Sequence, residues 1–277
     1  MQKVLVTGAN GMLGQDLCPI LEDEGYEVYA TDKNNMSITS KEAVSKAFEQ
    51  IKPDIVIHCA AYTNVDKAEE ETQTARQLNV IGTENIAKMC AKTNAALVYI
   101  STDYVFDGEL DRPYTPDDNP NPQNQYGFTK WEGEMKVIQH CPNHYIVRTS
   151  WLYGIHGKNF VETMLSLFDK PLLTVVDDQI GCPTWTVDLA NAIIQIIQTK
   201  SYGTYHACGG GYTSWYGFAK EIFKLAKKEV NLVPCKTEEF PRAAKRPKYT
   251  VMDNGGLCRP WQRALKDYMK LRDDEGV

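Results

Sequence analysis

Two stretches of the chain, YGFTK at 126–130 and YGFAK at 216–220, each offer a tyrosine and a lysine one helical turn apart. A phenol with an ordinary pKa of about 10 gives up its proton near neutrality only if something lowers that value. An ammonium at i+4 does so by stabilising the phenolate. Such a couple suits carbonyl reduction, in which hydride reaches carbon and the phenol protonates oxygen, while the lysine also holds the ribose of a nicotinamide. Spacing alone selects neither copy, because Tyr29 and Lys33 make a third match among fifteen tyrosines.

A third group decides between them, a hydroxyl to grip the carbonyl oxygen. Upstream of Tyr126 the apolar run ALVYIS ends in Ser101, Thr102 and Asp103. This is the carboxyl end of a predicted strand, where open α/β sheets bind ligands. YGFAK follows TSW instead, and Trp215, Phe218, Ala219, Ile222, Phe223 and Ala226 form an apolar helical stripe that Tyr216 and Lys220 only flank. Tyr29 and Lys33 straddle a strand end and share no helix. Tyr126, Lys130 and Thr102 are therefore the catalytic candidates.

The cofactor signal lies at the start. KVLVTGANGMLGQ reads as a strand, then Gly8, Gly11 and Gly14 at three-residue spacing, then a helix. Glycines allow a tight turn and close approach to a pyrophosphate, and the helix N-terminus supplies free N–H groups and a positive dipole end. Asn10, Met12 and Leu13 fall within the same loop and first turn. Asp32 ends the second predicted strand, near the distance expected for an acid on the adenosine ribose. Its charge favours NADH, whereas Lys33 next to it would pair with the 2′-phosphate of NADPH, so both cofactors stand.

These groups need a frame. KVLVTG, EVYAT, DIVIHCA, ALVYIS and HYIVRT read as buried strands, with amphipathic helices between them. The alternation predicts an α/β fold, a doubly wound parallel sheet (Rossmann-like), over 1–150, and a smaller C-terminal substrate-binding region over 151–277, with some of its segments returning to the first domain. Pro19 is expected to kink or shorten the first helix. Ser40 is a good N-cap for the second, and one helix is expected from Glu71 to Thr93, with Leu78, Ile81, Ile86 and Met89 on its apolar face. The proline-rich stretch 107–125 is expected to be a long loop of the kind that often binds ligands. Thr63 and Asp66 also fit a capping-box pattern.

A net charge of −6 gives no general attraction to nucleic acid or acidic membranes, and no stretch approaches the roughly 18 apolar residues of a membrane span. Eight cysteines without a C-x-x-C or a Cys/His cluster argue against structural zinc and fit a reduced, cytoplasmic chain. The N-terminus is unlike a secretory signal.

TGANGMLG, AAYTNVDKAE, STDYVFDG, YGFTK, RTSW, NF and DQIGCPTW, in this order and across most of the chain, resemble the dTDP-4-dehydrorhamnose reductases. These are extended short-chain dehydrogenase/reductases that make the rhamnose donor of cell-surface polysaccharide. The glycine loop and YGxxK are shared with sugar-nucleotide epimerases and dehydratases, whereas STDYVFDG with AAYTxVDxAE is more specific. The resemblance implies that Tyr126 protonates the 4-keto oxygen, that Lys130 lowers the tyrosine pKa and binds ribose, and that Thr102 bonds the substrate. It further implies that Asp103 and Trp151 line the sugar site, and that Gly11, Met12, Leu13 and Asp32 hold the adenosine diphosphate half, with Ala60, Ala61 and Tyr62 beneath the cofactor. In PRAAKRPK, Arg246 is favoured for the substrate diphosphate, which suits a bidentate guanidinium. Where relatives often end a third strand with an acid, this chain has MSIT, with Ser37 and Ile38. Some relatives dimerise around magnesium, but no ligand set for Mg2+ can be assigned here, and monomer and homodimer both stand. The alternatives are a nucleotide-sugar epimerase or dehydratase, and an NADP-binding regulatory subunit without turnover.

Overall fold

A computed structural model describes residues 1–275, so the last two residues of the expected C-terminal region lie outside the described residues. The chain starts with β1 (Lys3–Thr7), α1 (Met12–Asp23), β2 (Glu27–Thr31), α2 (Lys41–Ile51) and β3 (Ile55–His58). Two short helices, α3 (Lys67–Glu70) and α4 (Thr72–Arg76), lead through a π-helical stretch, Gln77–Gly82, into α5 (Thr83–Thr93). Then come β4 (Ala96–Thr102), α6 (Gln125–His140) and β5 (His144–Thr149). The C-terminal part contains β6 (Leu152–Tyr153), α7 (Phe160–Ser166), β7 (Leu173–Val176), β8 (Ile180–Gly181), β9 (Thr184–Trp185), α8 (Thr186–Thr199), β10 (Gly203–His206), β11 (Thr213–Ser214), α9 (Trp215–Leu225), β12 (Leu232–Cys235) and α10 (Trp261–Glu275).

Six strands pair in parallel in the order β10-β5-β4-β3-β1-β2. The five apolar runs read from the sequence are β1 to β5. Because side chains alternate across a strand, Val4 and Val6 face one layer and Leu5 the other. The first layer is α1 with α8, where Leu13, Leu17 and Leu21 meet Leu189, Ile193 and Ile197. The second is α2, α5 and α6, which bring Val44, Phe48, Ile86 and Val137 onto Leu5, Val56, Leu97 and Ile146. Thus α8 and β10, both beyond residue 151, complete the first layer and the sheet edge. A separate cluster under α9 and α10 holds Phe218, Ile222, Trp261, Leu265 and Tyr268.

Several local expectations change. α1 runs four residues beyond Pro19 instead of being shortened by it, since Pro19 and the residue whose carbonyl it leaves unbonded, Gln15, are both exposed to water. Ser40 caps α2 by accepting from the Ala43 amide at 3.1 Å. The expected helix from Glu71 to Thr93 contains the π-helical stretch, which rotates the faces after it: Asn79, Val80, Gly82 and Thr83 are buried, while Leu78 and Ile81 are only half-buried. MSIT ends no strand and lies in turns between β2 and α2. Asp66 makes no helix cap; Asn64 accepts from the Lys67 amide at 3.1 Å instead.

α6 is fixed by a buried ion pair. Arg148 on β5 donates to both oxygens of Glu134, at 2.9 and 2.8 Å, and Ser101 on β4 donates to the same carboxylate at 2.6 Å. Removing one partner strands the other charge in a dry layer, so Arg148→Met is expected to lower the unfolding free energy by roughly 3–5 kcal/mol. Urea denaturation measures this, and Glu134→Gln combined with Arg148→Met should lose less than the two single changes summed.

Candidate active site

A cleft of about 790 Å³ opens at the carboxyl ends of β1, β3 and β4, toward the upper end of ordinary ligand cavities, about 300–1,000 Å³. The chain leaves β1 to one side for β2 and returns to the other for β3, so the cleft marks the topological switch point. Gly8, Asn10, Gly11, Met12, Leu13 and Gly14 all line it. Gly8 sits at φ +69°, and a Cβ there would lie 2.7 Å from the Ala60 amide nitrogen, so the turn presses backbone to backbone on the end of β3. Gly11 begins α1 without a side-chain cap, leaving first-turn N–H groups for a ligand. The glycine loop therefore fits a dinucleotide pyrophosphate.

Asp32 and Lys33 lie at the far end of the cleft, next to Ser37 and Ile38. Asp32 accepts from the Asn34 and Asn35 amides at 2.8 and 3.3 Å, and from the side-chain amides of Asn34 and Asn10. The Asn34 amide foremost holds this carboxylate below its usual pKa. Asp32 is thus the cap of its own turn as well as a ribose candidate.

Ala60 and Ala61 line the floor, whereas the Tyr62 side chain turns away and donates to Glu71 at 2.8 Å. Beneath the floor lies a residue the sequence reading passed over, His58. The Thr83 hydroxyl donates to the Asn79 carbonyl at 2.8 Å, so its oxygen accepts from His58 Nε2 at 3.1 Å. His58 Nδ1 then accepts from the Thr7 hydroxyl at 2.6 Å, and Thr7 accepts from the Ala60 amide at 3.3 Å. Burial lowers the imidazole pKa to about 3, which keeps this one neutral tautomer. Asn79 continues the network by donating to the Thr129 hydroxyl on α6 at 3.0 Å. The π-helical stretch is what turns both Asn79 and Thr83 inward.

Thr102, Asp103, Tyr126 and Lys130 meet in the middle of the cleft. Asn124 caps α6 by accepting from Gly127 at 2.8 Å, placing Tyr126 in the first turn. Lys130 is 3% exposed and donates to the Ile100 carbonyl at 2.6 Å, with its ammonium 4.1 Å from the centre of the Tyr99 ring. Burial lowers its pKa to about 7, against the raising influence of Glu134. Burial also raises the Tyr126 phenol to about 12, with the Thr102 hydroxyl pulling the other way. The expected lowering of Tyr126 by Lys130 has no counterpart in this geometry, where the ammonium is turned to the Ile100 carbonyl of β4. Thr102 donates to Asp103 at 3.0 Å, and Thr250 donates to the other Asp103 oxygen at 2.6 Å. Burial lifts the Asp103 carboxyl to about 6.

Trp151 lines the same cleft at φ +45°, a conformation that costs a bulky residue of order 1–3 kcal/mol. Its ring stacks on Trp215, with centroids 3.5 Å apart and planes 6° apart. Trp215 is a cleft residue that the sequence reading assigned to the core stripe of YGFAK. Tyr216 and Lys220 do not line the cleft. Neither does Arg246, whose guanidinium pairs with both oxygens of Asp66 and donates to the Ala244 carbonyl at 2.7 Å. The 107–125 loop contributes nothing to the cleft wall; it is a strap in which Arg112 forks onto Asp118 at 2.8 and 2.7 Å and buried Tyr114 stacks on Phe106. Among the described residues, no group of three or more His, Cys, Asp or Glu is arranged to hold a metal ion, and no helix is long and apolar enough to cross a membrane.

A parallel sheet with a glycine loop at its switch point, a strand-end threonine and a Tyr-x-x-x-Lys helix converging on one cleft define an α/β protein of the extended short-chain dehydrogenase/reductase class. Within that class, the chain belongs to the family described as the RmlD substrate binding domain, whose model matches residues 1–272. It is similar to the structure of a dTDP-4-dehydrorhamnose reductase from Clostridium acetobutylicum, with 48% identity and a TM-score of 0.96 over 98% of this chain and 100% of that one. A dTDP-4-dehydrorhamnose reductase from Bacillus anthracis, solved in complex with NADP, is 44% identical with a TM-score of 0.95 over the same shares of the two chains. The spore coat polysaccharide biosynthesis protein SpsK of Bacillus subtilis is 42% identical over 98% of each chain.

The depressed Lys130 carries a stability consequence. Unfolding returns the lysine to its ordinary value of about 10.4, so from about pH 7 upward the unfolded chain binds a proton that the folded chain does not. Stability from this group therefore rises with pH across that window and is lowest below it. Lys130→Met should raise the melting temperature by a few degrees at pH 7, an advantage that shrinks by pH 9, as thermal scans at the two pH values will show.

Proposed function

We propose that this chain reduces the 4-keto group of dTDP-4-dehydro-β-L-rhamnose to give dTDP-L-rhamnose for cell-surface polysaccharide, using NADPH or NADH in the cytoplasm. The observation that carries the reading is the convergence of Thr102, Tyr126 and Lys130 beside the glycine loop in a single cleft. The names of the two structural relatives support the substrate, and the NADP bound to one of them supports the phosphorylated cofactor.

The reading divides labour across the cleft. The glycine loop, with Asn10, Met12 and Leu13, receives the pyrophosphate, and Asp32 with Lys33 receives the adenosine ribose or its 2′-phosphate. When bound, a reduced nicotinamide supplies the hydride for C4. Tyr126 gives its phenolic proton to the oxygen that becomes the 4-hydroxyl, so that one hydride and one proton complete the alcohol. A phenol held near 12 stays fully protonated until that oxygen becomes basic. Lys130, already buried against β4, moves its ammonium toward the ribose and the phenolate. Thr102 turns its proton from Asp103 to the keto oxygen, leaving Asp103 and Trp151 against the sugar. Arg246 exchanges Asp66 for a diphosphate oxygen. Residues 1–150 with α8 and β10 then form the cofactor domain, and the rest of 151–277 forms the substrate side.

The test is loss of reduced-nicotinamide absorbance when purified protein, dTDP-4-dehydro-β-L-rhamnose and either cofactor are mixed; no loss with either sinks the reading. Tyr126→Phe should cut kcat by roughly 10²–10⁴ while cofactor still binds, as titrated by fluorescence. Tyr216→Phe should leave kcat within about twofold, as expected for a residue outside the cleft.

A further inference from the structure

Asp103 is held between two threonines, of which only one reaches the cleft. It opens the short turn after β4, where the Thr102 oxygen accepts from the Tyr104 amide at 3.2 Å and the Thr102 proton goes to one Asp103 oxygen. The other Asp103 oxygen accepts from the hydroxyl of Thr250, 147 positions along the chain, at 2.6 Å. Thr250 does not line the cleft. Asp103 and Thr250 are each 3% exposed, so bulk water cannot stand in for that hydroxyl. Hydrogen bonds to an ionised carboxylate are the strong ones, and the strongest constraint on this carboxylate therefore comes from behind the site.

The backbone around Thr250 is built to deliver it there. The Thr250 amide donates to the Ile180 carbonyl and the Ile180 amide to the Lys248 carbonyl, each at 2.8 Å. One residue further on, the Val251 carbonyl accepts from the Tyr114 amide, and the Asp253 amide donates to the Tyr114 carbonyl, both at 2.8 Å. Asn124, the cap of α6, donates to the Lys245 carbonyl at 2.8 Å. Gly108 sits at φ +82°, where a Cβ would lie 2.9 Å from the Lys248 amide nitrogen, so the strap presses directly on the same segment. Residues 244–253 are thus clamped by β8, the strap and the start of α6, and they place one hydroxyl under the strand-end turn.

The other titratable groups facing Asp103 are Tyr104 in its own turn, Tyr126 on α6 and Cys208 after β10. Burial raises both phenols, and the Cys182 thiol together with burial raises Cys208, so all three stay uncharged near neutrality. The Arg246 guanidinium beside Tyr104 is taken up by Asp66. Asp103 is left as the group that titrates, with burial pushing it up to about 6 and Thr250 foremost among the groups pulling it down.

We propose that Thr250 is a positioning residue for the reduction: by holding one Asp103 oxygen, it keeps the carboxylate ionised and turned so that the other oxygen can release Thr102 to the keto oxygen and accept a sugar hydroxyl instead. A carboxyl without this second donor is protonated more readily, and once protonated it is a weaker acceptor for the sugar. This inference rests on the reductase reading and deepens it.

Two measurements test it. At saturating NADPH, kcat/KM for the nucleotide sugar should fall on the acid side as Asp103 protonates, near pH 6. Thr250→Val, which keeps the shape and removes the hydroxyl, should move that limb up by about one to two pH units and lower kcat/KM about tenfold at pH 7, with KM for NADPH unchanged. Thr250→Ser should return both toward the wild-type values. An acid limb that stays in place with an equal loss at every pH is the mark of a merely structural contact and would overturn the proposal, as would a serine variant no better than the valine one. Infrared titration without substrate reads the same group directly: the protonated-carboxyl band that Asp103→Asn removes should appear at higher pH in Thr250→Val than in the wild-type protein. An unmoved midpoint refutes the coupling whether or not turnover is seen. If the wild-type protein turns over with neither cofactor, the reductase reading falls and this one with it; turnover with an unmoved acid limb in Thr250→Val removes this one alone.

Discussion

The Glu134 carboxylate, taken up by Arg148 of β5 and Ser101 of β4, sets where α6 lies against the sheet, and the chemistry of the cleft follows from that placement. Tyr126, Lys130 and Glu134 recur every four residues and so share one helical face. Fixing the last of them deep in the core commits the other two to the β4 side. The cost is that Lys130 is buried as well, which is why its ammonium reaches for the Ile100 carbonyl and the Tyr99 face. Burial likewise keeps a proton on the phenol and makes the lysine easier to deprotonate.

A second constraint lies under the cofactor floor. The Thr7, His58, Thr83 and Asn79 network has one direction of donation throughout, so it joins the end of β1 to α6 without a mobile proton. The loops after β1 and β3 thereby share one base. Neutral histidine suits this position because it both accepts and donates in a fixed geometry, and the neighbouring Lys130 charge opposes its protonation.

The framework was legible because β1 to β5 are continuous apolar, β-branched runs that have little alternative in a parallel sheet. Choosing YGFTK over YGFAK was possible because Ser101-Thr102-Asp103 ends a strand and TSW does not. What escaped has a common cause. The π-helical stretch adds one residue to a turn without any compositional mark, so the buried face moved from Leu78 and Ile81 to Asn79 and Thr83. The Arg246–Asp66 pair and the Trp151–Trp215 stack join residues far apart in the chain, and no local period announces either. Trp215 does pack with the core stripe, but it also lines the cleft, a second role that the stripe does not announce. The direction of Lys130 depends on a carbonyl and a ring from another element, which a spacing rule does not contain.

The return of α8 and β10 to the sheet bears on how the molecule is made. α8 shares with α1 the layer over Val4, Val6, Ile57, Val98 and Val147, so an emerging chain that has reached only β5 leaves that face partly uncovered. The first five strands therefore complete their packing only once residue 206 has cleared the exit tunnel. Such a long-range closure slows folding and leaves an adhesive intermediate. During synthesis, the strand order of the sheet thus delays the last burial of its β1–β5 face until α8 and β10 have emerged.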